Sequence, residues 1–445
     1  MFNKSIKEIL KIFTVNLKCK NSFIDMFIPV LFLILNIFST IRADEFHYVE
    51  QLIGQRAAAM GGAAIALSDD PSGIYYNPAG IFFSMENYFS LSANSYSVSS
   101  KVYEDVFPGR NYTYTSSSFI PNFFGFTQNY SRFKWGFILA IPKSELIDQD
   151  DQLNDLSTVP GEINQIHRKV FRQNMTTLLG PALAFELAQD LTMGFSLLGQ
   201  MHTDKIIDTF FLTYNPISNI EKFYFNNRSM NRTIYSLYPK LGFQYMPFSK
   251  MSLGFTLAKP IEISNSGKQK IIRRNTDSSG PVDITNNLSH DISIDTNNSL
   301  IIHDPNPLEI GVGFGYFPCK SLLLASDITY FSQDDQFTQY QLQKVINISL
   351  GIEYYLSDST ALRGGLFSNN PNTASVVAGQ SNQKDNVVLY GSSLSVTFSQ
   401  PGSSFTFGIV YSKGQGMGNA VNDSITPQTI KQSMASVFIS GSYRL

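Results

Sequence analysis

From about Asn87 to the C-terminus, apolar residues tend to occupy every second position of the chain. The clearest case is the stretch from Ile310 to Tyr316, in which Ile, Val, Phe and Tyr alternate with glycine. Residues 348–354 and 394–398 follow the same rule. Strict alternation is typical of a strand with one apolar face and one polar or small face. No helical pattern of useful length interrupts these segments, so the sequence predicts an all-β fold and argues against an α/β fold.

Short and long connections alternate between the predicted strands. Six short, turn-like links are separated by longer polar runs, such as residues 203–232 and 261–306. Six tight hairpins, with one further strand at each end, give about fourteen strands, and transmembrane β-barrels combine short turns at one end with long loops at the other. Segments of about 9–11 residues are long enough to cross the hydrocarbon layer when they are tilted. We therefore expect a closed antiparallel barrel in a membrane.

The segment from Gly54 to Ile81 differs from the rest of the chain. It contains seven alanines, five glycines and two prolines. Such small residues suit a place where backbone packs closely against backbone. Asp70 can cap a short helix with Pro71 at its first position, and the chain should leave the helix at Asn77, since the residue before a proline avoids the helical region. The segment is therefore predicted to pack tightly inside another structure.

The N-terminus has the pattern of an export signal. Residues 1–43 begin with five lysines spread over residues 4–20, and residues 27–41 form an apolar core. This core has about the length of a signal-peptide h-region and is short against the ~20 residues that a membrane helix needs. We expect cleavage after Ala43.

Composition narrows the possible functions. The charged fraction is 15% and the aromatic fraction 13%, which suits a chain that exposes apolar surface to something other than water. The net charge of −2 and the lack of a basic stripe with aromatics give no support to nucleic-acid binding. The five histidines have no ligand-like spacing, and no G-x-S-x-G motif occurs. The sequence therefore predicts neither an enzyme nor a metal or cofactor site.

Two pairs of residues near the start could suggest chemistry but fit packing better. Asp69 and Asp70 are adjacent, and neighbouring carboxylates seldom converge on one site without partners. Gly61 and Gly62 are not a phosphate cradle, because no strand precedes them and no Lys-Ser/Thr follows. We expect both pairs to contribute to the packing of the small-residue segment.

The stretch RAAAMGGAAIALSDDPSGIYYNPAGI resembles the N-terminal segment of the outer-membrane long-chain fatty acid transporter (FadL/TodX-like) family. Asn77, Pro78 and Ala79 match the family's Asn-Pro-Ala motif, which lies in a small hatch that plugs the barrel. The resemblance implies that residues 44–84 form a hatch and residues 85–445 an outer-membrane barrel of a diderm bacterium. It also implies that Asn77, Pro78 and Ala79, with Gly61, Gly62, Asp69 and Asp70, take part in hatch packing or gating.

The function implied by this resemblance is passive uptake of hydrophobic molecules, above all long-chain fatty acids. Ligands would be captured at the outer loops, bind in the lumen and leave through a gap in the wall as the hatch moves. Its partners would be the ligand, outer-membrane lipid and lipopolysaccharide, and the barrel-assembly machinery, and the protein would be a monomer. The sequence identifies no residues of the ligand pocket.

Two alternatives remain open at this stage. Barrels that serve as protein-secretion shuttles open with a similar segment, so the chain could be a shuttle or a surface-binding protein without small-molecule transport. The phenylalanine-rich residues 119–126 could line an apolar groove for ligand or belong to the aromatic girdle at the membrane interface, and we favour the girdle.

Overall fold

The structure is a computed structural model. It describes residues 47–85, 87–107, 109–130, 132–217, 220–275, 292–298, 300–301, 303–334, 342–380, 383–420 and 426–444. The predicted export signal, residues 1–43, lies outside the described residues. Within the described residues, no helix is long and apolar enough to cross a membrane.

Fourteen antiparallel strands form a closed barrel, which confirms the predicted fold class and strand number. Each barrel strand pairs with the next along the chain, and the last strand pairs with the first. The strands of the structure are β1 Tyr88–Phe107, β2 Arg110–Tyr130, β3 Phe133–Leu153, β4 Ile163–Ala188, β5 Leu191–Ile217, β6 Ile220–Phe248, β7 Met251–Ala258, β8 Ile261–Asn275, β9 Ile292–Asn297, β10 Glu309–Cys319, β11 Leu322–Phe331, β12 Val345–Ser357, β13 Thr360–Asn369, β14 Asn386–Gln400, β15 Ser403–Gly418 and β16 Gln428–Arg444.

The alternation in the sequence separates an apolar outside from a more polar inside. Along β5, Phe195 and Leu197 point outward and are 44% and 40% exposed, whereas Ser196 between them is fully buried. On β12, Ile352 is exposed and the neighbouring Glu353 is buried. An outward apolar band around a polar interior is the arrangement of a barrel whose outside contacts lipid.

Two strands, β8 and β9, lie outside the closed barrel. Residues 240–248 of β6 pair with its barrel neighbour β7, whereas residues 224–237, here called the upper half of β6, pair with β8. Strand β8 in turn pairs with β9. Strands β3 to β6 are 21 to 29 residues long, far longer than the predicted 9–11. Residues 203–232, predicted to be a long loop, are mostly strand, so that prediction was wrong. The polar side chains of residues 203–232 mark the part of the sheet that extends beyond the apolar band.

Candidate functional site

The small-residue segment lies inside the barrel and contains three short helices. These are α1 Gln55–Ala59, α2 Gly73–Tyr76 and a 3-10 helix at Pro78–Phe83. We call residues 54–85 the hatch and residues 47–53, which precede it, the N-terminal segment. Ten barrel strands donate or accept hydrogen bonds with the two together: β2, β3, β5, β6, β7, β11, β12, β13, β14 and β15.

The predicted cap of α2 is displaced by two residues. The helix begins at Gly73, and its N-cap residue is Ser72. The Asp70 carboxylate accepts hydrogen bonds from the Ser72 backbone N–H at 2.7 Å and its hydroxyl at 2.5 Å. A backbone hydrogen bond from Gly73 to Asp70 closes a turn ahead of the helix, so Asp70 stabilises that turn instead of the helix end. Burial raises the pKa of Asp70 above its usual value.

The Asn-Pro-Ala motif lies where the hatch contacts the wall. The fully buried Asn77 side chain donates to the carbonyl oxygens of Ile65, at 2.7 Å, and of Phe243 on β6, at 3.0 Å. Its own oxygen accepts from the Ala79 N–H at 3.1 Å and so caps the 3-10 helix, which has Pro78 at its start. One side chain therefore joins two parts of the hatch to each other and to the barrel.

The wall beside this motif has no side chains in the way. Gly194 on β5 and Gly242 on β6 face each other across the two strands. A Cβ atom on Gly194 would collide with the backbone of Pro78 and Ala79, and one on Gly242 with the Asn77 side chain. Close approach of the hatch thus requires glycine at both wall positions.

Two further cross-strand glycine pairs receive the hatch backbone. Gly254 on β7 faces Gly313 on β10, and residues 65–66 pack against this pair. Gly351 on β12 faces Gly365 on β13, and residues 60–61 pack there. Sequence reasoning missed these wall glycines as part of the site, although they stand inside alternating strands, where glycine signals close backbone approach.

The other predicted site residues also lie in this packing layer. Gly61 and Gly62 have positive φ angles of 67° and 86°, a conformation that glycine adopts without strain. Asp69 accepts from Arg56 at 2.5 Å, and Arg56 also pairs with Glu353 on β12 at 2.7 Å. The acidic pair is therefore used in turn formation and in an ion pair. Among the described residues, no group of His, Cys, Asp and Glu side chains could hold a metal ion.

A carboxylate that sequence reasoning did not single out for this role holds the middle of the hatch. Asp327 on β11 accepts from the backbone N–H groups of Ala64 and Ile65, at 2.6 and 2.7 Å. The contact is fully buried, and one side-chain oxygen serves both donors. A single acid inside an otherwise alternating strand was the available signal.

The barrel wall is incompletely paired between β2 and β3. Backbone pairing runs only over residues 123–130 of β2 and 133–140 of β3, and the upper parts of the two strands are not paired with each other. Side chains bridge the separation instead. Gln149 on β3 bonds to the backbone of Thr113 and Thr115, at 2.7 and 3.2 Å, and the Ser116 hydroxyl donates to the Leu146 carbonyl at 2.6 Å.

The N-terminal segment lies behind the lower end of this separation. The Asn122 side chain of β2 donates to the Leu52 carbonyl at 3.0 Å, and the Gln51 N–H donates to the Pro142 carbonyl of β3 at 3.0 Å. A half-buried ion pair of 2.8 Å joins Glu50 to Lys143 on β3. The segment therefore connects two strands that lack backbone pairing at that level.

A cavity of about 330 Å³ lies in the lumen, between the hatch and the long strands β4, β5 and β6. It extends to Leu52 and Pro142, and so to the lower end of the β2–β3 separation. Its apolar lining includes Ile65, Leu178 and Phe367. Six basic residues line it, Lys143, Arg172, Arg228, Arg232, Lys240 and Lys384, against four acids, Glu50, Asp204, Asp304 and Glu309.

Two titratable groups of the cavity, His47 and Asp304, lie outside the barrel strands. Burial, with Lys143 and Lys101 nearby, lowers the pKa of His47 to about 3, so its imidazole is neutral. Burial raises the pKa of Asp304 to about 6 despite the nearby Arg232. At mildly acidic pH, the shift of His47 removes a positive charge from the cavity wall, and the shift of Asp304 removes part of a negative charge.

The phenylalanine-rich stretch is divided between the two sides of the wall. Phe123 is buried and packs against Ile53, Ile74 and Ile138. Phe119 and Phe124 are 69% and 36% exposed. The stretch therefore contributes both to hatch packing and to the outer surface beside the β2–β3 separation.

No protein-family model matches the chain, and no curated protein matches it. Solved structures do. A FadL homologue of Pseudomonas aeruginosa aligns with a TM-score of 0.59 and 12% identity over 89% of this chain and 99% of that one. The toluene transporter TbuX of Ralstonia pickettii aligns with 0.58 and 13% identity over 89% and 99%. The toluene transporter TodX of Pseudomonas putida aligns with 0.55 and 12% identity over 88% and 97%. The chain therefore has the FadL-type β-barrel fold.

Proposed function

We propose that the protein is an outer-membrane channel for passive uptake of hydrophobic molecules. The observation that carries the proposal is the position of the lumen cavity. It is bounded below by the hatch, and it reaches the wall where β2 and β3 are not paired. A long acyl chain gains about 0.8 kcal/mol for each CH₂ group removed from water, so a partly apolar cavity can capture it without an energy source.

We infer that the ligand is a long-chain fatty acid or a similar molecule with an apolar chain and an anionic head. The solved structures of this fold include toluene transporters, whose ligand is uncharged. Here the cavity has a surplus of basic residues. Arg228 is the best candidate for the head group. Among the described residues, its buried Nε atom has no hydrogen-bond partner, and its Nη2 atom donates to the neutral Gln269, at 3.2 Å, and to the Met230 sulfur.

The proposed route runs from the outer end of the barrel into the cavity and out between β2 and β3. The bonds that close this route are few, because side chains and the N-terminal segment replace a backbone ladder there. Movement of the N-terminal segment breaks its contacts with Asn122, Pro142, Lys143 and Asn369, whereas movement of the hatch together with this segment would break hydrogen bonds with ten strands. In this proposal, seven hatch residues contribute to gating by holding the hatch in place while this local opening occurs. They are Asn77, Pro78, Ala79, Gly61, Gly62, Asp69 and Asp70.

The head-group proposal is tested with purified full-length protein and two ligands, palmitate and hexadecanol. Arg228→Gln should weaken palmitate binding by about tenfold or more, since a hydrogen bond to a charged group is worth about 1.5–3 kcal/mol, and leave hexadecanol binding unchanged. Arg110→Gln is the matched control, because Arg110 is exposed at the outer end and donates to the Asn154 carbonyl. Equal loss for both ligands would show that Arg228 only shapes the cavity.

The route is tested by locking the wall in cells that lack the native gene. Ser116→Cys with Ile147→Cys places two thiols on the inner face of the β2–β3 separation, beside the hydrogen bond from Ser116 to Leu146, and Ile328→Cys with Ile348→Cys places two across the paired strands β11 and β12. Oxidation should stop palmitate uptake only in the first pair, and reduction should restore it. Uptake that is unaffected by the first crosslink excludes this exit. Normal palmitate uptake together with retention of secreted proteins in cells lacking the gene would favour the shuttle alternative.

A further inference from the structure

The part of the sheet that extends beyond the apolar band carries a row of lysines on its outer side. Lys205 on β5 and Lys268 on β8 flank Asn231 of β6, and Lys270 lies one step further along, opposite Ser229. All three lysines are exposed. Their neighbours in sequence, Asp204 and Gly267, are buried, so the lysines point away from the lumen.

This outer basic face, defined by Lys205, Lys268 and Lys270, has no acidic counterpart. In the described part of the chain, the outward positions from Lys205 to Phe211 on β5, and those opposite on β6, β8 and β9, include no Asp or Glu. The nearest outward acids on the neighbouring strands, Asp148 and Asp150, lie on β3, two strands from Lys205, and Asp150 already pairs with Lys169 and His167. The three lysines have no ion pair among the described residues, and Lys205 lies over the Phe171 ring at 5.4 Å.

The height of the lysines above the apolar band is set by the strand. Tyr235, which is 49% exposed, marks the upper end of the band on β6, and Asn231 in the lysine row is four residues further on. Four residues of strand span about 14 Å, or about 10 Å along the membrane normal at a tilt of about 45°. Lysine side chains bend toward the interface, so their ammonium groups reach the layer of polar head groups.

Aromatic and aliphatic side chains share this face with the lysines. Tyr235, Leu237 and Ile261 point outward on the side of the lysines nearer the apolar band, and they are 49%, 36% and 54% exposed. Ammonium groups above exposed apolar side chains at the hydrocarbon edge suit a ligand that carries phosphate groups above its acyl chains. A soluble anion would gain nothing from the apolar residues.

We propose that the outer basic face binds the phosphate groups of a phosphorylated glycolipid in the outer leaflet. The inference rests on the outer-membrane placement under Proposed function and is independent of the ligand in the lumen. Binding on this face would anchor the long β4–β6 extension, with β8 and β9, against the membrane surface. Each basic residue near an anionic lipid surface contributes about 1 kcal/mol, or about fivefold in affinity, so the three lysines together should contribute on the order of a hundredfold.

The test measures binding of bisphosphorylated lipid A to the full-length protein in detergent by native mass spectrometry. The Lys205→Gln/Lys268→Gln/Lys270→Gln variant should lose on the order of a hundredfold in affinity. The matched control, Arg132→Gln/Lys250→Gln/Lys320→Gln, removes three exposed charges from the turns at the opposite end and should bind like the native protein. Lipid A from which the phosphates have been removed should bind all three proteins equally weakly.

Three results would overturn the proposal. The lysine variant could bind bisphosphorylated lipid A as well as the native protein, the opposite-end control could lose as much affinity, or removal of the phosphates could have no effect. Palmitate uptake is measured on the same variants. It should be unchanged in the lysine variant, so a failure of the lipid inference is distinguished from a failure of the proposed transport.

Discussion

Replacement of Asn77 by alanine should loosen the hatch and leave the barrel intact. The Asn77 side chain makes three hydrogen bonds, to Ile65, Phe243 and Ala79, and the residue is fully buried. At about 1 kcal/mol for each bond, their loss reduces the free energy of hatch opening by about 3 kcal/mol. The buried carbonyl of Ile65 also loses a donor, which adds to the cost.

A change of this size should make the amide exchange of the hatch distinguishable from that of the barrel wall in one experiment. A change of about 3 kcal/mol corresponds to a roughly hundredfold faster exchange of hatch amide hydrogens. Barrel strands such as β14 and β15, which pair through their own ladder, should keep their protection. Hydrogen exchange with mass spectrometry on the purified protein measures both regions at once.

The matched control is Asn386→Ala, which removes a buried asparagine that bonds to Thr373, far from the Asn-Pro-Ala motif. It should leave hatch exchange unchanged. Two results would refute the reasoning: hatch amides that exchange at the native rate in Asn77→Ala, or a barrel that loses protection together with the hatch. The first would mean that the glycine contacts alone hold the hatch, and the second that hatch and wall open as one unit.

Two further predictions follow from the contact between wall and hatch and from the buried histidine. Gly254→Ala should displace the hatch and lower the free energy of unfolding by about 1–3 kcal/mol, because its Cβ would collide with the Ile65 backbone. The control Gly199→Ala should be neutral, since its Cβ would lie 3.6 Å from the nearest atom. Equal melting temperatures for the two variants would contradict this prediction. Lowering the pH from about 6.5 toward 3 should destabilise the N-terminal segment, because His47 stays neutral in the folded protein while the unfolded chain binds a proton, so stability falls with falling pH across this window. Exchange of the amides in residues 48–53 measures the effect, and His47→Phe should flatten the pH dependence; an unchanged slope in that variant would assign the effect to another group.

The barrel could be predicted from the sequence because its signal is local. Residues such as Val312 and Phe314 are exposed on the outside of the barrel while Gly311 and Gly313 face the hatch, and this period of two is visible in a single strand. The hatch was predictable for a similar reason, since its small residues and the Asn77-Pro78 break lie in one continuous stretch. The length of β4, β5 and β6 was not predictable, because outside the apolar band both faces of a strand are polar and resemble a loop.

The incomplete wall could not be found from the sequence either. It depends on which residues of β2 and β3 fail to meet, and neither strand has an unusual pattern apart from Pro121 and Pro142 near the level where pairing begins. Prolines cannot donate to a ladder, but they also occur at strand edges that close normally. Only the register of the two strands together shows that Asn122, Gln51 and Gln149 take the place of backbone bonds.

The contacts that hold the hatch of this chain demand little of its sequence, and the chain shares its fold with solved structures at 12–13% identity. Hatch backbone packs against glycine pairs of the wall, and hatch carbonyls accept from short polar side chains such as Ser252 and Ser393. The side chains that line the cavity are not needed for these hatch contacts. Basic residues such as Arg228 can therefore occur there without disturbing the hatch. Under the proposed function, the fold fixes where the ligand binds, and the charges around the cavity decide which ligand it is. For this reason the palmitate and hexadecanol comparison is a stronger test of function than any further likeness of the backbone.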